Sequence, residues 1–147
     1  MTHRIYVIAG KDESLVAARF QELLDTLLPA EQRMTGLFSV DGDEAAIAEV
    51  LDELRTTPFL TDRRIVAVRG ADGFVSKHRE RLERYFERPA ATGVLVLTVS
   101  SWDARTRLAK MLPKVGELIS LIPPPRWKLP ERSLSFLPMV FRNPILG

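Results

Sequence analysis

The sequence predicts an α/β fold in which a parallel sheet is covered by helices on both faces. Segments of strand-like composition alternate with segments of helical periodicity up to about residue 122, in the order βαβαβαβαβ. The connections between these segments are only a few residues long, and two of the strand segments, RIVAV and GVLVLTV, contain the continuous apolar runs IVAV and VLVL. Such apolar runs are typical of strands buried on both faces, and parallel neighbours require crossover connections.

The first half of the domain supplies two strands and two helices. Residues 4–9, RIYVIA, are rich in β-forming residues and end at Gly10, which predicts a strand followed by a tight turn. Residues 12–28 repeat apolar side chains at helical spacing, and the acids at 12 and 13 favour a helix start. GLFSV at 36–40 predicts a second strand, and residues 43–57 predict a helix with Ile, Val and Leu on one face.

The second half continues the alternation. RIVAV at 64–68 predicts a buried strand, after which GADGF turns the chain. A strongly charged segment at 76–89 and the segment at 102–112 both have helical spacing, and Ser100 or Ser101 could cap the second of these helices. The other predicted strands are GVLVLTVSS at 93–101 and GELISLI at 116–122.

Residues 123–147 differ in kind from residues 1–122, and we predict a boundary between the domain 1–122 and the tail 123–147. The tail contains six of the ten prolines, which remove backbone donors and prevent it from extending the sheet. It is nevertheless too apolar for a plain solvated linker. Two explanations stay open: the tail docks onto a surface, or the chain is a truncated or frameshifted product, a fragment or a specialised short form.

Composition and charge exclude several classes of protein. With 46% hydrophobic and 27% charged residues the chain has the composition of a soluble domain, and no apolar run reaches the roughly 20 residues of a membrane helix. It has no cysteine, so we expect no disulfide and no thiolate metal site. Because the sequence shows neither a membrane-helix run nor a signal-peptide pattern, we expect no membrane association and a cytoplasmic location. Residues 1–122 carry 17 basic and 18 acidic groups, so bulk charge gives no reason to expect direct DNA binding.

The turn after the first strand lacks the residues of a nucleotide site. A phosphate-binding loop reads G-x-x-x-x-G-K-[ST], whereas this turn reads AGKDESL. Lys11 is followed by Asp12 and Glu13, which would repel phosphate, and G-x-G-x-x-G is absent. We therefore expect no nucleotide, no other cofactor and no metal.

No catalytic constellation remains among the other residue types. A competing interpretation of the charge run 77–88, as a basic contact surface, is weakened by the glutamates among its cations. The structural interpretations are a solvated surface for His3, His78 and the run 77–88, a turn former for Asp72, and packing for Trp102 and Trp127.

The stretch RTTPFLTDRR at 55–64 places two large apolar residues, Phe59 and Leu60, in a connecting loop directly after Pro58. Apolar residues in a surface loop often pack against their own domain, so the pair could fold back onto the sheet. It could equally form an apolar contact for a partner protein. The residues alone leave this choice open.

Three segments in this order resemble the N-terminal domain of the bacterial DNA polymerase III delta subunit, the clamp-opening member of the clamp loader. They are YVIAGKDESLV, LRTTPFLTDRRIVAVRGAD and TGVLVLTVSSWDARTRLAKML, and the resemblance covers about residues 4–122. It implies a Rossmann-like, AAA+-type fold without a P-loop. It also implies that Phe59 and Leu60, flanked by Pro58, insert into a pocket of the sliding clamp (the beta subunit). The family usually has Leu before Phe, so the order here is inverted.

The resemblance implies a role in DNA replication: binding the clamp and helping to open it, with no ATP hydrolysis and with DNA contacted only through the complex. It groups the chain with subunits of a DNA-directed DNA polymerase, a nucleotidyltransferase, although its own residues offer no catalytic group. The family continues into a collar domain that has no match here, so assembly with other loader subunits is not expected. The alternatives are a degenerate α/β nucleotide-binding enzyme and a truncated, non-functional domain.

Overall fold

The computed structural model describes residues 4–28, 31, 36–56 and 63–121. These residues form one sheet of five strands in the order β2-β3-β4-β1-β5, with every neighbouring pair parallel. In chain order the elements are β1 (Ile5–Ala9), α1 (Glu13–Leu27), β2 (Leu37–Asp41), α2 (Ile47–Arg55), β3 (Arg64–Arg69), α3 (Asp72–Lys77), α4 (Arg79–Glu87), β4 (Gly93–Val99), α5 (Arg107–Val115) and β5 (Gly116–Ser120).

The central strands are the apolar runs of the sequence. β1 and β4 are buried along their whole length, and β3 is buried at its four inner residues. Strand β1 lies between β4 and β5, so that Val7 is opposite both Leu97 and Leu118. Burial on both faces explains why the sequences of these strands are continuously apolar, whereas a strand with one exposed face would alternate apolar and polar residues.

Helices cover both faces of the sheet. Side chains of α1 pack with one face, where Ile8, Ala67 and Val96 are fully buried. Helices α2 to α5 cover the other face, where Val7, Val66 and Leu97 are fully buried. This arrangement confirms the predicted three-layer α/β fold.

The last helix begins later than the sequence predicted. Helix α5 begins at Arg107 instead of residue 102, and its cap is Thr106, whose hydroxyl accepts the backbone N–H of Ala109 at 3.1 Å. The predicted caps, Ser100 and Ser101, were wrong. The N–H and hydroxyl of Ser100 instead donate to the carboxylate of Asp72, which fixes the residue at the end of β4.

The charged segment predicted as one helix at 76–89 is two helices. Helix α3 begins at Asp72, so this residue is not a turn former as predicted, and α3 ends before His78. His78 has a non-helical backbone and separates α3 from α4. Its ring is half-buried and lies edge-on to Phe74, with ring centroids 5.1 Å apart, so it is also less solvated than predicted. Because the glycines of GADGF suggested a turn, the sequence did not predict this short helix, which buries Phe74 and Val75.

Candidate functional site

The predicted partner-binding residues Pro58, Phe59 and Leu60 fall within 57–62, outside the described residues. The structure does describe the two ends of this stretch, the last turn of α2 and the first residue of β3. Because α2 leads into β3, both ends lie at the edge where the parallel strands begin, which we call the amino edge. The contacts of these ends determine how firmly the stretch is held.

The end of α2 is packed directly against β4. Leu54 is fully buried, and its carbonyl oxygen lies so close to Gly93 that there is no room for a Cβ atom there. Beyond it, the Thr56 hydroxyl donates to the carbonyl of Asp52 at 2.8 Å, and the Thr56 N–H donates to the carbonyl of Glu53 at 3.2 Å. The helix therefore ends in a fixed position at Arg55, five residues before Leu60.

The start of β3 is bonded both to β4 and to α2. The backbone N–H of Arg64 donates to the carbonyl of Thr92 at 2.8 Å, and Ile65 is fully buried. The guanidinium of Arg64 forms an ion pair with Glu53, and the side chains are only 19% and 27% exposed. Partial burial reduces screening by salt, so this pair holds the two ends of 57–62 together more firmly than a surface pair would.

A cleft of about 670 Å³ opens at the opposite, carboxyl edge of the sheet. One wall is the first half of α1, and the other is formed by the loops that follow β2 and β3 and by the end of β4. We call it the carboxyl-edge cleft. It is lined by Gly10, Lys11, Glu13, Val16, Ala17, Phe20, Gln21, Asp41, Gly42, Asp43, Glu44, Arg69, Gly70, Asp72, Thr98, Val99 and Ser100.

The walls of this cleft differ in chemistry. The α1 wall has an apolar stretch of Val16, Ala17 and Phe20, with Glu13 and Gln21 beside it. The end of β2 and the loop after it bring three acids, and the first of these, Asp41, pairs with Arg69 at 3.4 Å. The lining as a whole has five acids and two basic residues, so the field in the cleft disfavours anions. Sequence reasoning did not single out Asp41, Asp43 and Glu44, although carboxyl ends of parallel strands are where α/β proteins bind ligands.

The turn between β1 and α1 is already filled by the protein's own groups. The carboxylate of Asp12 accepts the backbone N–H groups of Ser14 at 2.9 Å and Leu15 at 3.3 Å, which caps α1. The N–H of Gly10 donates to the carbonyl of Val99 at 3.0 Å. A phosphate would have to displace a carboxylate from the helix amino terminus, where phosphates otherwise bind free N–H groups.

Loops at the ends of β3 and β4 are joined by a compact set of hydrogen bonds. The hydroxyl of the buried Thr98 accepts the N–H of Gly70 at 2.9 Å, and the carbonyl of Thr98 accepts the N–H of Ala71 at 2.7 Å. Gly70 has φ of +60°, which favours glycine. Together with the bonds between Asp72 and Ser100, these contacts give Asp72 a structural role at the rim of the cleft.

Four of the described side chains have pKa values shifted by identifiable causes: His78, Tyr85, Asp103 and Arg105. Burial lowers the pKa of His78, and the positive charges of Lys77 and Arg81 lower it further. Burial raises the pKa of Tyr85, whose hydroxyl accepts the N–H of Ala90 at 3.1 Å. The side chain of Arg105 donates to Asp103 and holds the pKa of that carboxyl below its ordinary value.

Two kinds of site are missing from the part of the chain that the structure describes. No three His, Asp or Glu side chains converge there in a way that could hold a metal ion. None of the helices in these ranges is both long and apolar enough to span a membrane. His3 and Trp127 lie outside the described residues, while Trp102 is half-buried and packs against the α2–α5 side of the core, as predicted.

Comparison with known proteins gives consistent results. The chain is 25% identical over 122 residues to DNA polymerase III subunit delta of Bacillus subtilis (strain 168), covering 76% of this chain and 35% of that protein. It superimposes on the solved structure of the DNA clamp loader delta protein of Bacillus subtilis with a TM-score of 0.69 and 25% identity, over 81% of this chain and 38% of that one. The chain thus spans little more than a third of the length of these relatives.

A more distant structure shares the fold alone. It is a DNA polymerase III gamma subunit-related protein from Thermotoga maritima, with a TM-score of 0.57 and 18% identity, over 85% of this chain and 43% of that one. The family model described as DNA polymerase III, delta subunit, matches residues 6–121, which include all the described strands and helices except the first residue of β1. The chain therefore belongs to the DNA polymerase III delta subunit family.

Proposed function

We propose that this chain acts in DNA replication as a clamp-loader delta subunit that binds the sliding clamp through Phe59 and Leu60 and helps to open it. Residues 1–122 form the clamp-binding domain, and 123–147 are a separate segment. DNA is contacted only indirectly, through the complex. The chain itself neither binds nor hydrolyses ATP.

The observation that carries this proposal is the fixed base at the amino edge. Glu53 and Arg64 pair across the two ends of 57–62, and Leu54 packs without clearance against Gly93. A contact segment held at both ends loses less conformational entropy on binding than a free peptide, so more of its contact energy appears as affinity. Force on the segment would also pass directly into α2 and β3, which opening a ring requires.

The residues within the segment suit an apolar anchor. Pro58 restricts the backbone before the pair, and Phe59 supplies a large, stiff aromatic side chain. Aromatic anchors that fill a pocket on a partner carry much of the binding free energy of many interfaces. Asp62 and Arg63 follow the pair and keep the remainder of the stretch polar.

The carboxyl edge supports the absence of ATP chemistry. Asp12 occupies the N–H groups at the start of α1, and the cleft beside it is lined by more acids than bases. Both features oppose a triphosphate, which relies on free N–H groups and cations. Clamp binding at the amino edge and the filled turn at the carboxyl edge are therefore separate parts of one proposal.

Titration of a fluorescently labelled sliding clamp with the full chain tests the clamp contact. Phe59→Ala and Leu60→Ala should each weaken binding by on the order of 2 kcal/mol, about thirtyfold in Kd. The matched control is Leu15→Ala, which truncates a leucine that is 56% exposed on α1 and should leave affinity unchanged. The double exchange Phe59→Leu with Leu60→Phe restores the usual family order, and it tests whether the pocket accepts either order.

Thermal unfolding of the same variants separates contact from packing. If Phe59 and Leu60 bind the clamp, their truncation should leave the midpoint near that of the wild type. Equal clamp affinities together with a large loss of stability would mean that the pair packs onto its own domain, and the proposal would fail.

A calorimetric titration with Mg·ATP addresses the alternative of a degenerate nucleotide-binding enzyme. We expect no heat of binding. Saturable binding that Asp12→Ala strengthens would favour the enzyme interpretation, because removing the carboxylate frees the N–H groups at the start of α1.

A further inference from the structure

The chain leaves the sheet at the rim of the carboxyl-edge cleft. The backbone N–H of Leu121, directly after β5, donates to the carbonyl of Ala9 at 2.7 Å. Its Cβ lies only 3.0 Å from the position that a Cβ on Gly10 would take, and Val16 comes equally close to that position. Gly10 and Val16 line the cleft, so the residues that follow Leu121 begin beside its apolar wall.

That apolar wall is incompletely covered by the described residues. Along α1 the buried residues begin only at Leu23, in the second half of the helix. In the first half, Val16 and Phe20 are half-exposed and Ala17 is exposed. An apolar helix face of this kind is stabilised by a covering group, and the next residues of the chain are apolar and aromatic.

We infer that the segment Arg126–Trp127–Lys128 of this chain docks in the carboxyl-edge cleft. In this arrangement Trp127 covers the α1 wall formed by Val16 and Phe20. Arg126 and Lys128 face the acidic loop after β2, which carries Asp43 and Glu44. The cleft that receives a nucleotide in related α/β folds is then occupied by the chain itself.

The reach of the chain is sufficient. Trp127 is six positions after Leu121, and an extended backbone spans at most about 3.3–3.6 Å per residue, so this distance can reach about 20 Å. From β5, where the chain leaves the sheet, to β2 there are four strand spacings of about 4.8 Å each, or roughly 19 Å. Pro123, Pro124 and Pro125 have no backbone N–H to donate to a sheet, and a run of prolines favours extended backbone.

Charge complementarity favours this occupant. Residues 123–147 contain four basic residues and one acid, whereas the cleft is lined by five acids and two basic residues. The cations at 126 and 128 flank the aromatic ring, so one short segment matches both the apolar wall and the acidic loop. Because docking is intramolecular, its effective concentration is high and each contact can be weak.

The experiment uses the full chain with Trp102→Phe, which leaves Trp127 as the sole tryptophan. We expect a blue-shifted emission and slow quenching by acrylamide. Neutralising the loop with Asp43→Asn and Glu44→Gln should lower the docked-to-undocked ratio about fivefold, the effect of losing two exposed ion pairs, and quenching should rise. The control Glu49→Gln with Asp52→Asn removes the same charge from exposed positions on α2, across the sheet, and should change nothing.

A second measurement needs no tryptophan substitution. Trypsin cleavage after Arg126 and Lys128, followed by mass spectrometry, should be slow relative to cleavage after Arg132, and the loop variant should remove this protection. The inference fails if Trp127 is fully accessible to acrylamide and cleavage at Arg126 and Lys128 is rapid in the protein that retains Asp43 and Glu44. It also fails if the loop variant and the α2 variant have equal effects. Protection that grows with protein concentration would also overturn it, because the segment would then dock onto a second copy.

Discussion

Gly93→Ala should destabilise the domain because the end of α2 rests on the first residue of β4. Gly93 is buried, and a Cβ there would overlap the carbonyl oxygen of Leu54 while lying 3.1 Å from its carbonyl carbon and 3.2 Å from its Cα. All three atoms belong to the backbone of a helix. No side-chain rotation can relieve the overlap, so α2 or β4 must move.

The expected loss follows from this geometry. Overpacking of a dense core costs about 1–3 kcal/mol, and a backbone neighbour places the cost in the upper half of that range. Replacing Gly by Ala recovers about 0.4–1 kcal/mol through the reduced entropy of the unfolded chain. The net destabilisation is therefore about 2 kcal/mol, or a fall of about 6 °C in the melting temperature for a domain of this size.

Urea unfolding followed by circular dichroism measures the change, and Gly73→Ala is the matched control. Gly73 lies in α3, and a Cβ there would have no heavy atom within 4 Å. This substitution should stabilise the protein by about 0.5 kcal/mol, since alanine is the better helix former. If both variants lose the same stability, or if Gly93→Ala loses none, the close packing of α2 on β4 is not the determining contact.

Two further predictions concern helix ends. Asp12→Ala removes the cap of α1 and should lower the free energy of unfolding by about 1 kcal/mol, whereas Asp12→Ser should retain most of that stability. Urea unfolding of both variants measures the difference, and equal losses would contradict a capping role. His78 has a pKa below its ordinary 6.5 in the folded state, so the unfolded state binds the proton first as pH falls. Stability should be present above pH 6.5 and decline as pH falls through the lowered folded value; His78→Gln should remove that part of the decline in urea titrations at stepped pH, and an unchanged profile would refute the assignment.

The sheet could be predicted from sequence because its strands are buried on both faces. Residues 65–68 and 94–97 are continuous apolar runs. Such runs are typical of a strand that is buried between two layers of helices. The start of α1 could also be predicted, because aspartate is a preferred helix N-cap and Asp12 is the N-cap in the structure. These features depend on local preferences that agree with the tertiary structure.

What the sequence concealed depends on contacts between distant residues. Ser100 has the right type and position to cap a helix, but Asp72, 28 residues earlier, takes both its N–H and its hydroxyl. The cleft is equally non-local, because its walls come from α1 and from loops after three other strands. Phe59 and Leu60 lie outside the described residues, so their role stays a prediction.

The ion pair between Glu53 and Arg64 has a consequence for engineering and divergence. Because it joins residues on either side of 57–62, the spacing of those two ends is set by contacts of α2 and β3 and not by the six residues between them. Doubling the length of a flexible connection costs only about 0.6 kcal/mol in closure entropy. The six residues should therefore be exchangeable for those of another family member while the sheet and its helices remain unchanged, and under the proposed clamp contact the exchange would transfer clamp preference.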